Sequence, residues 1–313
     1  MTSPSTTKVA LVQAEPTFLD TRASLETALD RIESAAREGA KLVAFGESWL
    51  PGYPFWVDVA PSAAAWDQAE VKEIHALLRA QSVTIDGPEV QRLRDAAADL
   101  KVAITMGLHE RVDRGPGNRT LYNALVTIGD DGGVAVHHRK LVPTHGERLV
   151  WGPGDGQGLH AADTAAGRVG GLICWEHWMP LARQALHDSG EHIHVAQWPT
   201  VNATHMLASQ HYAFEGRCFV LAVGSILRMA ALPAALRPAE FEADALALRG
   251  GSCIAAPDGS WLVEPVYDEE RTIFADLDFA IIHRESMTLD VSGHYGRRDV
   301  FQFDVRRDRA SEG

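Results

Sequence analysis

The sequence predicts an α/β fold in which layers of strands are covered by helices. Three observations carry that reading. Short apolar runs of strand length alternate with helical patterns along the whole 313-residue chain. Both halves mix strand–helix–strand units with hairpins, the ingredients of layered α/β architectures. The composition, 46% hydrophobic and 23% charged, is that of an ordinary globular protein with ample material for a core. No linker long enough to divide the chain is visible, so residues 1–313 are read as a single domain.

The elements follow in order. "KVALVQAE" (8–15) reads as a buried strand. "TRASLETALDRIESAAREG" (21–39) has apolar residues at helical spacing and stops on Gly39. "KLVAFGE" (41–47) is the next strand, and polar helical stretches fill 65–81 and 88–100. "VAITMGLHE" (102–110), "TLYNALVTIG" (120–129) and "GVAVHHRK" (133–140) read as strands, the last two joined by a turn at Asp130-Asp131-Gly132-Gly133. The second half repeats the alternation: strand 168–174, helix 179–189, strand 192–199, helix 203–217. Strands at 218–225, 251–257, 261–265 and 272–278 close the list. The Ala-rich insert 229–247 is either a mobile or interface segment or an ordinary surface helix-loop. Residues 306–313, "RRDRASEG", read as a polar tail.

Several function classes are excluded at this level. Net charge is −13, with no Lys/Arg cluster, which disfavours nucleic acid and anionic membrane surfaces as partners. The three cysteines, Cys174, Cys218 and Cys253, are widely spaced without a CxxC pair, so neither a disulfide framework nor a zinc site is expected. The N-terminus does not read as a signal peptide, and no apolar run approaches the ~18 residues of a membrane span. A reducing cytoplasm fits these features. His192 and His194 in "HIH" share a strand face, but no third ligand stands at useful spacing, so no metal is expected. "GPGDGQG" (152–158) lacks the Lys-Ser/Thr and the helix of a phosphate loop. Cys218 and Cys253 lie in apolar strands and read as core thiols.

One cysteine is different. In "VGGLICWEHWMP" (169–180) an apolar strand runs into Cys174, and a helix begins near Met179-Pro180. A side chain on such a strand-to-helix turn projects toward a pocket, and the helix N-terminus is expected to favour its thiolate. Alone, it reads more readily as a core thiol. Two further groups change that. "VAFGESWLPGYPFW" (43–56) puts Glu47 just past a buried strand in apolar surroundings, which raise a carboxyl pKa and suit a general base. "HHRKLVPTHGERLVWGPGDG" (137–156) puts Lys140 at another strand end, able to meet a developing anion, with Glu147 seven residues on. Three reactive groups past three strand ends mark the place where sites form in α/β sheets.

At these residues the chain resembles the carbon–nitrogen hydrolases of the nitrilase superfamily. The matching stretches are "FGESWLPGYP", "HRKLVPT", "GERLVWGPGDG", "LICWEHWMPLAR", "AFEGRCFVL" (213–221) and "GHYGRRDVF" (293–301). The resemblance implies an αββα sandwich and a Glu47–Lys140–Cys174 triad with Glu147 beside it, and its "CWEH" and "ERxxWGxGDG" contexts point to the nitrilase branch. It further implies a small-molecule nitrile substrate, no cofactor, and a base role for Glu47 rather than His177. Tyr53, Trp56, Trp175, His177 and Trp198 are candidates for the substrate-pocket wall, with core packing an equal reading for Trp198. An amidase or carbamoylase would use the same four residues. A cyanide hydratase and a catalytically silent scaffold are further alternatives. The resemblance also implies a homodimer of stacked sandwiches, extended in some relatives to larger homo-oligomers or spirals. The apolar 229–247 insert supports pairing, and the short C-terminal tail argues against long spirals.

Overall fold

The computed structural model describes residues 6–60, 62–239 and 241–309. Its first sheet is built from β1 (Thr6–Gln13), β2 (Leu42–Phe45), β3 (Ala103–Arg111), β4 (Leu121–Ile128), β5 (Val134–Arg139) and β13 (Arg271–Asp278). The spatial order is β13-β1-β2-β3-β4-β5. The parallel steps β1-β2-β3 are linked through α1 (Thr21–Arg37) and α4 (Pro88–Leu100), and β3-β4-β5 is an antiparallel meander. The second sheet contains β6 (Ala162–Thr164), β7 (Gly167–Ile173), β8 (Ile193–Gln197), β9 (Phe219–Val223), β10 (Ile226–Arg228) and β11 (Leu246–Ala255) in the order β10-β11-β9-β8-β7-β6. The strand β12 (Trp261–Tyr267) pairs with β11. Here β7, β8 and β9 are parallel, connected by α5 (Pro180–His187) and α6 (Ala203–Gly216).

Period-two alternation places the layers. Val9 and Leu11 of β1, and Leu42 and Ala44 of β2, face Ile193, Val195, Phe219, Leu221 and Val223 of the second sheet in one buried seam. Their neighbours Ala10, Val12, Val43 and Phe45 face α1 and α4. On the far side Ala196, Val220 and Ala222 pack against α5 and α6. The result is the expected αββα sandwich. Asp20 starts α1 by accepting the Ala23 N–H at 3.0 Å, as an N-cap should.

The shortest elements escape the pattern: β6 and β10 are three residues each, and α2 (Trp56–Val59) is four. α3 (Ala69–Gln81) lies within the expected helical stretch, whereas α7 (Ala280–Glu285) was not signalled. The 229–247 insert packs along one side onto its own chain. It forms two 3-10 turns, and Met229, Leu232 and Leu236 are buried with Tyr53, Phe55 and Trp56. Its ends are tied by Met229 N–H to Ala245 O at 2.9 Å and Ala230 N–H to Ala243 O at 2.7 Å. The segment therefore roofs its own chain. Exposed apolar side chains are spread over several elements: Trp66, Met287 and Phe301 stand out most, and Leu181 of α5 and Leu207 of α6 are 68% and 60% exposed. Of the polar tail, Arg309 pairs with Asp155 and Arg307 donates to Leu159 O at 3.1 Å, while 310–313 lie outside the described residues.

Candidate active site

The site forms where strands of both sheets end. Glu47 follows β2, Lys140 follows β5, and Cys174 follows β7. Close backbone approach makes room for this. A Cβ on Gly107 of β3 would lie 2.1 Å from Gly46 O, so β3 can lie against the Glu47 turn only as glycine. Likewise a Cβ on Gly154 would meet Arg139 O at 2.1 Å, which lets the "GPGDG" loop lie flat on the end of β5.

Lys140 is 1% exposed and sits between two carboxylates. Its Nζ donates to Glu47 Oε1 at 2.8 Å and to Glu147 Oε2 at 2.7 Å. Glu47 Oε1 also accepts from Asn123 Nδ2 at 2.7 Å, whereas its Oε2 is buried with no hydrogen-bond partner among the described residues. Glu147 sits in a 3-10 turn, His145–Leu149, that it caps itself by accepting the Thr144 N–H at 2.7 Å; Tyr53 donates to its other oxygen at 3.0 Å. Carboxylate oxygens of Glu47 and Glu147 and the Cys174 sulfur all lie within 4.8 Å of one another. Such a cluster could ligate a metal, but the cation held between its carboxylates is the Lys140 ammonium itself.

Cys174 stands in the left-handed region at φ +54°, a strained position for a residue with a side chain and typical of a nucleophile turn. What holds it is Glu176. That carboxylate accepts from Ile173 N–H at 2.8 Å, from Leu141 N–H at 2.7 Å and from His138 Nε2 at 2.9 Å. It thereby ties the cysteine turn on one sheet to the residue after Lys140 on the other.

The charges are set by burial. Desolvation raises Glu47 to about 7, with Lys140 pulling it down and Glu147 pushing it up. Burial works against the Lys140 charge, but Glu47, the cysteine sulfur and Glu147 outweigh it and keep the ammonium protonated. Burial and then Glu47 push the Cys174 thiol well above its ordinary value, with Lys140 and the Trp175 N–H pulling the other way. This corrects the expectation that a helix N-terminus favours the thiolate. α5 starts only at Pro180, and desolvation dominates, so the resting group is a thiol that needs a base.

A cavity of about 340 Å³ opens onto this cluster. Tyr53, Trp175, Cys174 and Glu147 line it, together with Asp58, His145, His205 and Arg249, which the sequence did not single out. Glu47 and Lys140 lie one layer deeper. Three expected wall residues lie elsewhere. Trp56 is 2% exposed and packs edge-on to Phe18 in the apolar cluster under the 229–247 roof. His177 is 1% exposed and stacks on Trp198, which is wholly buried behind the cysteine turn. The tight turn 174–178 sends Trp175 outward and His177 inward, which residue type alone does not specify. Asn123, His138 and Glu176 were also not assigned. Their signal is a polar residue inside an otherwise apolar strand or a motif.

A buried thiol beside a carboxylate, with an ammonium fixed at the same spot, is the arrangement that a hydrolase working through a covalent thiol adduct requires. Residues 8–284 match the carbon-nitrogen hydrolase family. A nitrilase from an unknown prokaryotic organism, named "Nitrilase 2", is 39% identical over 302 residues, 96% of this chain and 92% of that protein. A nitrilase from Pseudomonas syringae pv. syringae (strain B728a) is 38% identical over 308 residues, covering 94% of this chain and 88% of its own. In fold, a carbon-nitrogen hydrolase from Helicobacter pylori G27 superposes with a TM-score of 0.68 at 18% identity, covering 95% of this chain and 97% of that one. The chain belongs to the carbon-nitrogen hydrolase family.

Proposed function

We propose that the protein hydrolyses an organic nitrile to the carboxylic acid and ammonia. The observation that carries this is the unbonded Glu47 oxygen in a cluster with the Cys174 thiol, with Lys140 held between two carboxylates. Glu47 takes the thiol proton as sulfur adds to the nitrile carbon. The nitrile nitrogen, gaining charge beside the Lys140 ammonium, receives the proton that Glu47 took from the thiol, giving a thioimidate and restoring the Glu47 carboxylate. A water that loses its proton to Glu47 adds to that carbon, Glu47 passes the proton on to the nitrogen, ammonia leaves, and a thioester remains. A second water releases the acid and restores the thiol, so two waters are consumed per nitrile. Glu147 holds Lys140 in place, and Tyr53 and Trp175 shape the pocket. The nitrile rather than the amide is favoured by the names of the two relatives above.

The same reading places the enzyme in a reducing cytoplasm, where Cys174 stays free, as a single-domain chain without cofactor. It pairs into a homodimer through the apolar faces of α5 and α6 rather than through the insert. No helix among the described residues is long and apolar enough to cross a membrane. Ammonia release from a small panel of nitriles and their amides tests the proposal. Release from nitriles, with the acid as product, is expected. Release from amides alone would replace it with an amidase, and amide accumulation with a hydratase.

A further inference from the structure

Behind the cysteine turn lies a row of buried polar groups that the hydrolytic steps do not use. His177 Nδ1 stands 2.7 Å from Cys174 O. His177 Nε2 stands 2.9 Å from His194 Nε2, and His194 Nδ1 stands 2.9 Å from Glu191 Oε2. The Tyr212 hydroxyl donates to Glu191 Oε1. All four residues are at most 4% exposed. The carboxyl lies over bare backbone of β7, where a Cβ on Gly170 would come within 2.2 Å of Glu191 Oε2.

Counting protons along this row fixes its direction. A carbonyl oxygen only accepts, so His177 Nδ1 carries the hydrogen. A neutral His177 then offers a lone pair at Nε2, and His194 Nε2 must donate to it. A neutral His194 in turn offers a lone pair at Nδ1, so its partner, Glu191 Oε2, must donate. We propose that Glu191 stands as a neutral carboxylic acid at the head of a proton-ordered chain through His194 and His177, and that this chain is a positioning device for the carbonyl of Cys174. The inference rests on the site being the hydrolytic one proposed above.

The environment agrees. Burial raises Glu191 to about 7, against the pull of His187 and Tyr212. Placing the proton on His194 instead would make an imidazolium–carboxylate pair. Burial, and next the neighbouring His187, push His194 well below its ordinary value and disfavour it. The groups facing the chain are His187 from α5, Tyr212 and Glu215 from α6, Cys218 before β9, Glu176 from the cysteine turn, and His138 from β5. His205 of α6 faces its His177 end.

Ionising Glu191 reverses every bond. His194 Nδ1 must then donate to the carboxylate, His177 Nε2 must donate to His194, and His177 Nδ1 is left with a lone pair against Cys174 O. A proton lost at Glu191 is a donor lost at the nucleophile. The turn at φ +54° loses a tie, and with it the aim of the sulfur and of the Trp175 N–H.

Glu191→Gln tests this, because its amide can donate to His194 Nδ1 and accept from Tyr212 but cannot ionise. Glu191→Ala removes the donor. Below neutral pH, the infrared difference between wild type and Glu191→Gln should contain the C=O stretch of a protonated carboxyl group, shifted in D2O. The Gln variant should keep kcat within about 3-fold of wild type and lose the alkaline fall that wild type shows as Glu191 ionises, while the Ala variant loses kcat by up to about 100-fold, the cost of a small misplacement. Absence of the acid band overturns the proposal. So does a folded Gln variant that fails as badly as the Ala variant or keeps the alkaline fall. The band is read without substrate, so its absence refutes the chain and leaves nitrile hydrolysis untouched. A band present in a protein inert to nitriles does the reverse.

Discussion

Removing the charge on Lys140 is the sharpest test of the site. Lys140→Gln keeps donors between Glu47 and Glu147 but no cation. The two carboxylates then face each other in a buried cluster within 4.8 Å. Their repulsion is already part of the Glu47 value of about 7; what the variant removes is the Lys140 attraction across 2.8 Å, on the order of 6 kcal/mol at an effective dielectric constant of about 20, of which the Gln amide donors return a part. Glu47 already stands at about 7 with the ammonium in place, so without it the base stays protonated through the neutral range. Because Glu47 must be ionised to accept the thiol proton, kcat/KM in wild type rises with pH through about 7. In the variant that rise moves upward by at least about two pH units. Loss of the charge that meets the developing anion also lowers kcat by about 10²–10³-fold at any pH. The assay is ammonia release against pH, with circular dichroism to establish folding. Arg139→Ala is the control. Arg139 lies on the opposite strand face, donates from Nε to Glu110 at 2.9 Å and covers the Tyr122 ring at 4.1 Å. Its loss should lower stability by about 3–5 kcal/mol, as breaking a buried pair does, and leave kcat of the folded protein nearly intact. Equal losses of kcat in the two variants, or an unmoved acid limb in Lys140→Gln, would refute the reasoning.

Three further outcomes are expected. Cys174→Ala should fold and show no turnover, whereas Cys218→Ala, altering a thiol buried beneath α6, should remain active; nitrile turnover by folded Cys174→Ala would contradict the mechanism. Glu110, which works against its own burial, is held at about 2 by Arg139 and His137. A lowered carboxyl pKa stabilises the fold above the unfolded value near 4.3 and loses that contribution as pH falls toward 2, about 3 kcal/mol in all. Glu110→Gln should therefore flatten the acid side of the stability–pH curve measured by denaturant unfolding; an unchanged slope would count against the pair. Light scattering coupled to size exclusion should report a dimer, and Leu181→Asp on α5 should shift it to monomer.

What was legible in the sequence follows from periodicity and from where apolar runs stop. Glu47, Lys140 and Cys174 each end such a run, so their placement at strand ends could be read without coordinates. Glu191, His194 and Asn123 could not be read this way. Each is polar inside or beside a buried strand, and its meaning lies in a partner distant in sequence: Asn123 is 76 positions from Glu47. Exposure around a tight turn was equally hidden, since Trp175 and His177 differ by two positions and face opposite ways. The role of the 229–247 insert was open in the sequence because Ala and Leu look alike whether they cover the chain's own aromatic cluster or another subunit.

The Glu176 clamp joins two sheets, and so does the reaction. Base and cation ride on one sheet and the sulfur on the other, so the distances among them are set by how the two faces slide and settle on the Val195 and Leu221 seam. Rate becomes a gauge of that apolar contact. A methyl group removed deep between the sheets, far from any substrate, shifts chemistry by resetting the alignment of the halves. New activities are then reachable by repacking oil as well as by reshaping the pocket.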